Sequence, residues 1–137
     1  MRIGMAMGSE KIIQTLEAVK NSYNSYTMDS VAIEVGAASI LDEAYFKETC
    51  QKIIATRERT TKALQNMGFS VFPSQSNFLF VTHSKVEAKE IFETLKEKNI
   101  FIRYFNLPRI NNHLRITIGT DKEMDILLQN IEKIIKH

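Results

Sequence analysis

A change of hydrophobic period at Gly68 constrains the fold of this chain more than any other feature of the sequence. Before Gly68, apolar residues recur at the 3.6-residue spacing of amphipathic helices, and beyond it they begin to alternate as they do in strands. Glycine readily adopts the left-handed conformation that ends many helices, so Gly68 marks the end of a helix. The sequence therefore predicts helices first, followed by a mixture of strands and helices.

Three helices are predicted before Gly68, after a short apolar strand or frayed end over residues 1–8. Ser9 is expected to cap the first helix and Asp42 the third, because their side-chain oxygens can accept hydrogen bonds from free backbone N–H groups. An Asn- and Ser-rich stretch at 21–26 interrupts the helical pattern after the first helix. The predicted helices cover about residues 9–20, 28–41 and 43–67.

The second half of the chain is predicted to have the order ββαββα. Its strands are expected at 69–72, 77–81, 100–104 and 113–118, with a helix at 87–99 and a last helix capped by Asp121. Helices on one face of a small, largely antiparallel sheet are the compact solution for this order. The predicted fold class is therefore α/β in the broad sense (α+β), with long helices packed on that sheet.

Composition and charge exclude several classes of function. The 137 residues are 44% hydrophobic and carry a formal net charge of only +2, which is typical of a soluble globular protein and gives no reason to expect nucleic acid or an anionic membrane as partner. No apolar run approaches the roughly 20 residues of a membrane span. The single cysteine, Cys50, rules out a disulfide framework and indicates a reducing, cytoplasmic location.

Familiar catalytic motifs are absent from the sequence. It contains no GxxxxGK[ST] loop, no GxGxxG and no GxSxG elbow, and its three histidines do not have metal-ligand spacing with Cys50 or with one another. No metal site is therefore predicted. Cys50 falls on the apolar face of its helix and is expected to be an inert core residue.

Two arginines in predicted strands are the remaining candidates for chemistry. Arg103 follows three apolar residues in one strand, and Arg115 interrupts the alternating pattern of the next. Guanidinium groups on adjacent strands can converge on one anion, because each offers a planar fork of donors that matches a carboxylate or a phosphate. The alternative is that both simply occupy the solvated face of the sheet. Arg109, in the connection between these strands, is expected to be a surface residue.

Four segments, in order along nearly the whole chain, resemble histidinol-phosphate aminotransferases, members of the fold-type I family that depends on pyridoxal phosphate. The segment Leu114–Thr120 resembles the family's C-terminal motif, and the segment Asn99–Phe105 resembles the strand that carries a second substrate arginine. The other two are Arg2–Gly8, which resembles the stretch after the cofactor-binding lysine, and Phe72–Phe78, which resembles the strand pair that opens the small domain.

This resemblance implies roles for three arginines. Arg115 would bind the substrate carboxylate and, together with Arg103, the substrate phosphate, so that glutamate and histidinol phosphate use one site in turn. Arg2 would contact the phosphate of pyridoxal phosphate. Asn77 lies in a motif close to the family's active site, without an assigned role, and Arg109 matches no family position.

The resemblance also implies what this sequence lacks. The family's Schiff-base lysine precedes the position of Arg2, so no catalytic residue is assigned within the chain. Residues 1–26 are expected to be the end of the large cofactor-binding domain and a linker, and residues 27–137 the C-terminal small domain. The chain alone is expected to lack transaminase activity and not to bind pyridoxal phosphate stably.

The expected function is thus that of the C-terminal part of an aminotransferase whose whole form transfers amino groups between histidinol phosphate and 2-oxoglutarate in histidine biosynthesis. The family resemblance implies a cytoplasmic homodimer. Two alternatives remain open at this point: a free-standing regulatory module that binds a small anion without catalysis, and a protein-interaction domain that uses an exposed apolar surface.

Overall fold

The computed structural model describes residues 3–136, which form two compact units, one ending at Lys47 and one beginning at Glu48. The predicted boundary between residues 26 and 27 concerns domains of a larger enzyme and stays a prediction. The elements in chain order are α1 (Glu10–Tyr23), α2 (Ser30–Leu41), α3 (Glu43–Asn66), β1 (Phe69–Val71), β2 (Phe78–His83), α4 (Ala88–Glu97), β3 (Arg103–Tyr104), β4 (Leu114–Thr117) and α5 (Asp121–Ile135).

The first unit contains α1 and α2, and neither helix has a buried residue. Asp29 begins α2, because its Oδ1 accepts a hydrogen bond of 2.8 Å from the backbone N–H of Ala32. Ser9 precedes α1 as predicted, but its side chain makes no capping hydrogen bond. Residues 3–8 form neither helix nor strand, so the strand expected there is not found in the described part of that segment.

The second unit is built on a four-stranded antiparallel sheet with the order β1-β2-β4-β3. Two short connections and one crossover through α4 give the predicted order ββαββα, and the predicted fold class is confirmed. Phe80 of β2 lies opposite Arg115 of β4, and Arg115 in turn lies opposite Arg103 of β3. These pairs fix which side chains share a face, because directly opposed residues point the same way and their neighbours point the other way.

One face of the sheet carries the core. Leu79, Val81, Leu114 and Ile116 point into it and are almost completely buried. The three helices that cover this face contribute apolar side chains at helical spacing, as the sequence pattern predicted. These are Leu64 of α3, Ile91 and Leu95 of α4, and Met124, Leu127, Leu128 and Ile131 of α5.

The end of α3 is tied to β2 through Gly68 and His83. Gly68 has a φ of +88°, the left-handed conformation that the sequence predicted for the end of this helix. The Nδ1 atom of His83 accepts hydrogen bonds from the backbone N–H groups of Lys85 and Val86, at 3.3 and 3.0 Å. His83 Nε2 is therefore the donor to the carbonyl oxygen of Met67, at 3.2 Å. This buried histidine holds the helix end against the sheet.

The third strand is shorter than predicted. β3 contains only Arg103 and Tyr104, whereas the sequence pattern predicted 100–104. The backbone N–H of Ile100 donates to the carbonyl oxygen of Leu95 at 2.9 Å, and Asn99 has a φ of +58°. This arrangement closes the C-terminus of α4, so residues 99 and 100 serve the helix end and do not pair in the sheet.

The cap predicted for α5 is wrong, and α4, for which no cap was predicted, donates a backbone hydrogen bond to a distant side chain. The cap of α5 is Thr120, which forms a capping box with Glu123, and Asp121 is the first helical residue. Glu87 precedes α4 without a side-chain capping bond. Instead, Oδ1 of Asn112, from the loop before β4, accepts a hydrogen bond of 2.8 Å from the N–H of Ala88.

Candidate functional site

Arg103 and Arg115 lie side by side on the sheet face opposite the core. They are directly opposed in the β3–β4 pair, and their neighbours Tyr104 and Leu114 form the next pair, on the core face. Directly opposed residues in an antiparallel pair have Cβ atoms about 5 Å apart. We call the exposed side of the sheet, which carries Phe78, Phe80, Arg103 and Arg115, the arginine face.

Each arginine of this face has an aromatic ring beneath its guanidinium group. Cζ of Arg115 lies 5.4 Å from the centroid of the Phe78 ring, and Cζ of Arg103 lies 5.6 Å from that of the Phe105 ring. Both distances are within the roughly 6 Å range of cation–π attraction. The sequence pattern did not mark Phe78 or Phe105 as site residues.

Two further aromatic side chains extend the surface. The His113 ring stacks on Phe80 with centroids 4.8 Å apart and planes inclined by 11°, and Phe72 packs against both rings with centroids 5.7 Å away. Within residues 3–136, Nδ1 of His113 is a buried polar atom without a hydrogen-bond partner. The rings of Phe72, Phe80, Phe105 and His113 are thus connected by ring contacts beside the arginine pair.

Arg103 and Arg115 differ from Arg57 and Arg59 in whether their guanidinium groups have partners within the protein. Arg57 donates from Nη1 to the carbonyl oxygen of Ser76 at 2.8 Å. Arg59 forms ion pairs with two aspartates of α5. In the described part of the chain, the side chains of Arg103 and Arg115 make no hydrogen bond and no ion pair. Their donors are thus free for an external anion.

Arg59 has a structural role as the centre of a cluster with Thr56, Asp121 and Asp125. Oδ1 of Asp121 accepts hydrogen bonds from Thr56 Oγ1 and from Arg59 Nη2, each at 3.0 Å. These bonds lower the pKa of the Asp121 carboxyl, the one from Thr56 most. Arg59 also binds Asp125, so the cluster fixes the start of α5 against α3.

The other sequence candidates lie apart from the pair or outside the described residues. Arg2 lies outside the described residues. Arg109 is exposed in the loop between β3 and β4, as predicted, with a φ of +74°. The backbone carbonyl of Asn77 accepts a hydrogen bond of 2.8 Å from the N–H of Ile118 and so extends the pairing of β2 with β4. Cys50 is half-buried, less enclosed than the predicted core residue.

The residues present do not fit a covalently bound aldehyde cofactor on the arginine face. A Schiff base needs a lysine amine beside the substrate site. None of the four described strands contains a lysine, and the described lysines belong to helices and turns. The described residues also include no cluster of three or more His, Cys, Asp or Glu side chains suited to a metal ion. Of the helices in residues 3–136, none is long and apolar enough to cross a membrane.

The geometry of the arginine face suits the binding of one anion by two forks of donors. A carboxylate or a phosphate that bridges Arg103 and Arg115 would receive charge-assisted hydrogen bonds from both, and it would also offset the repulsion between the two cations. Such a pair is suited to hold an anion and not to transfer protons, because arginine stays protonated.

The chain is similar to curated proteins of known name. The chain is 47% identical over 135 residues to a histidinol-phosphate aminotransferase of Acinetobacter baumannii, covering 98% of this chain and 37% of that protein. It is 52% identical over 129 residues to one from Marinomonas, covering 93% and 36%. The chain thus spans little more than a third of the length of these curated relatives.

Solved structures show the same fold. The crystal structure of histidinol-phosphate aminotransferase from Sinorhizobium meliloti in complex with pyridoxal-5'-phosphate matches with a TM-score of 0.80 and 28% identity, over 90% of this chain and 34% of that one. A decarboxylase from Sulfurospirillum multivorans matches with a TM-score of 0.72 at 20% identity, over 89% and 36%, which shows the fold alone.

The family comparison covers almost the entire chain. The model that describes aminotransferase class I and II matches residues 1–131. The resemblance seen in the four sequence segments is thereby confirmed, and the chain belongs to the aminotransferase class I and II family.

Proposed function

We propose that this chain supplies the substrate-anion site of a histidinol-phosphate aminotransferase, as its C-terminal small-domain portion. The observation that carries the proposal is the direct opposition of Arg103 and Arg115 on the exposed face of the sheet, without any partner in the described residues. The identity to named relatives supports the same substrate class.

In the proposed whole enzyme, an amino group passes between histidinol phosphate and 2-oxoglutarate. The reaction needs one site for two unlike substrates, and their shared feature is an anionic group. Arg103 and Arg115 would bind the phosphate of histidinol phosphate in one half-reaction, and Arg115 would bind a carboxylate of glutamate or 2-oxoglutarate in the other. The two guanidinium groups orient the substrate and exclude neutral analogues, because an unpaired guanidinium pair gains little from an uncharged group.

The proposed cofactor of the whole enzyme is pyridoxal phosphate, which the Sinorhizobium structure contains. It supplies the group that accepts and returns the amino nitrogen. Arg2 would contact its phosphate, and the Schiff-base lysine belongs to the large domain of such enzymes. The whole enzyme is further proposed to be a cytoplasmic homodimer.

The binding proposal is tested by calorimetric titration of the chain with histidinol phosphate and with glutamate. Arg115→Ala should weaken both ligands by roughly tenfold or more, since charge-assisted hydrogen bonds are lost. Arg109→Ala is the matched control, because Arg109 is exposed in the adjoining loop and should leave both affinities unchanged. Equal affinities for the unchanged chain and Arg115→Ala would remove the proposal.

The catalytic proposal is that these 137 residues alone do not transaminate. Mixing the chain with pyridoxal phosphate should give no aldimine absorbance band and no stoichiometric adduct after borohydride reduction. A single lysine modified to completion would show that the chain forms its own Schiff base and would overturn this part of the proposal.

A further inference from the structure

We infer that Phe78 and Phe105 are positioning residues, whose rings restrain the guanidinium groups of Arg115 and Arg103 on the exposed side of the sheet and leave their N–H donors free for an anion. The inference rests on the proposed function, because it explains how the same anion site is kept ready for its ligand. It assigns a role to two aromatic side chains that are not part of the core.

The arginine pair needs such support because it is electrostatically unfavourable by itself. Like charges directly opposite each other in an antiparallel pair repel, and β3 offers only two residues of pairing to resist that repulsion. A carboxylate neighbour would neutralise the charge, but the described residues provide none for either arginine. Something other than an ion pair must therefore favour the orientation of both side chains over free rotation into water.

An aromatic ring meets this need without blocking the site. The negative face of the ring attracts a cation, and the Cζ–centroid distances of 5.4 Å for Arg115 over Phe78 and 5.6 Å for Arg103 over Phe105 lie within range. A carboxylate partner would occupy the N–H donors with hydrogen bonds, whereas a ring face uses none of the guanidinium fork. The donors that an anion needs consequently remain available.

Phe78 is placed by the same strand alternation that places the arginines, whereas Phe105 directly follows the last residue of β3. Phe78 lies two residues before Phe80, which is opposed to Arg115, and Phe105 lies two residues after Arg103. The ring of Phe105 is supported by Phe80, which packs edge-on against it with centroids 6.1 Å apart. The ring beneath Arg115 is thus placed by the sheet register and the ring beneath Arg103 by an aromatic contact, and both are separate from the core.

The affinity test uses inorganic phosphate, titrated at constant ionic strength into the chain and its variants. Phe78→Leu and Phe105→Leu should each weaken binding by roughly two- to fivefold, the amount that corresponds to one exposed cation–π contact. Phe78→Tyr should bind phosphate as tightly as the unchanged chain, because tyrosine keeps the ring face. Phe72→Leu is the matched control: its ring borders the same face, but within the described residues no guanidinium lies over it.

A second measurement is independent of ligand binding. In the unchanged chain, the side-chain proton resonances of Arg115 and Arg103 should be shifted upfield by ring currents, and the shift at Arg115 should vanish in Phe78→Leu and persist in Phe72→Leu. Unshifted arginine resonances in the unchanged, folded chain would overturn the inference, even if the Leu variants failed to fold.

The outcomes separate this inference from the proposed function. If the unchanged chain binds phosphate, Arg115→Ala weakens binding, and the Leu variants bind as tightly as the unchanged chain, then the positioning role is wrong and the anion site stands. If Arg115→Ala has no effect or the unchanged chain binds no phosphate, the anion site itself is wrong and the positioning role falls with it. Weakening by the Leu variants with rescue by tyrosine supports both.

Discussion

At the scale of single residues, four arginines of the second unit fall into two groups according to what their guanidinium groups contact. Arg57 and Arg59 bind groups of the protein itself, whereas Arg103 and Arg115 have only ring faces beside them in the described structure. The sequence predicted that Arg103 and Arg115 stand on neighbouring strands. It could not predict their direct opposition, because register depends on how each strand ends and pairs.

The same limit explains why sequence analysis missed Phe78 and Phe105 as site residues. Alternation within a strand assigns a residue to a face only after the strand and its core side are known, and aromatic residues are most often found in cores. Phe78 is in fact 37% exposed. His83, similarly, showed no motif in the sequence, because its partners are backbone groups that only the folded chain brings to it.

Gly68 offers a test of backbone conformation at one residue. Gly68→Ala should destabilise the chain by about 1–2 kcal/mol, because an L-residue disfavours the left-handed conformation. An added Cβ would also lie 3.2 Å from Nε2 of the buried His83. The midpoint of urea unfolding measures this loss. Gly4→Ala is the control, since its Cβ would meet nothing within 4 Å. Equal midpoints for Gly68→Ala and the unchanged chain would contradict the assigned helix end.

At the scale of elements, the long periodic helices were predicted closely and the short strand β3 was not. Amphipathic spacing repeats over many residues in α3, α4 and α5, so single deviations do not obscure it. In contrast, Ile100–Ile102 has the composition of a strand, yet the closure of α4 through Asn99 and Ile100 takes up backbone groups that pairing would need. The hydrogen bond from Ile100 to Leu95 at the end of α4 thus outweighs the strand preference of these residues.

The N-terminus of α5 makes the stability of the second unit depend on pH. The pKa of Asp121 is lowered from an ordinary value of 3.8 by Thr56 and Arg59. The pKa of Glu123 is lowered from 4.5 by the backbone and side chain of Thr120. Because both values are lower in the folded chain, these carboxylates stabilise it above their unfolded values, and that contribution is lost as pH falls through the folded values.

Denaturant unfolding at a series of pH values tests this dependence. Stability of the unchanged chain should fall below about pH 5, and the decline should be shallower in a variant that combines Asp121→Asn with Glu123→Gln. That variant should also be less stable at neutral pH. Glu58→Gln is the control, since Glu58 is exposed on α3 and forms no ion pair in the described chain. If stability fell just as steeply at low pH in the double variant as in the unchanged chain, the proposed contribution of Asp121 and Glu123 would be contradicted.

At the scale of the whole molecule, the two units differ in how well they cover their apolar residues. Large hydrophobic side chains of α1 and α2 are exposed, among them Val19 at 64%, Val31 at 69% and Ile40 at 72%. The second unit has a continuous core between its sheet and its helices. Large exposed apolar patches are typical of surfaces that contact another protein or a ligand. Composition alone did not reveal this exposure, because the apolar fraction does not say which residues find partners.

Hydrogen exchange should distinguish the units. Amides of α1 and α2 in the isolated chain should exchange far faster than those of α4 and α5, because no buried side chain secures these helices. The measurement is exchange followed by mass spectrometry on peptides from each helix, with α4 and α5 as internal controls. Protection of α2 equal to that of α5 would contradict the described exposure.

A double-mutant cycle tests most directly whether Arg103 and Arg115 form one anion site. The affinity for inorganic phosphate is measured for the unchanged chain, Arg103→Ala, Arg115→Ala and the double variant. If both guanidinium groups hold one phosphate, each single substitution should cost roughly tenfold, and the double variant should lose little more than either single variant. Independent, additive losses, or an equal loss in Arg109→Ala, would contradict a shared site.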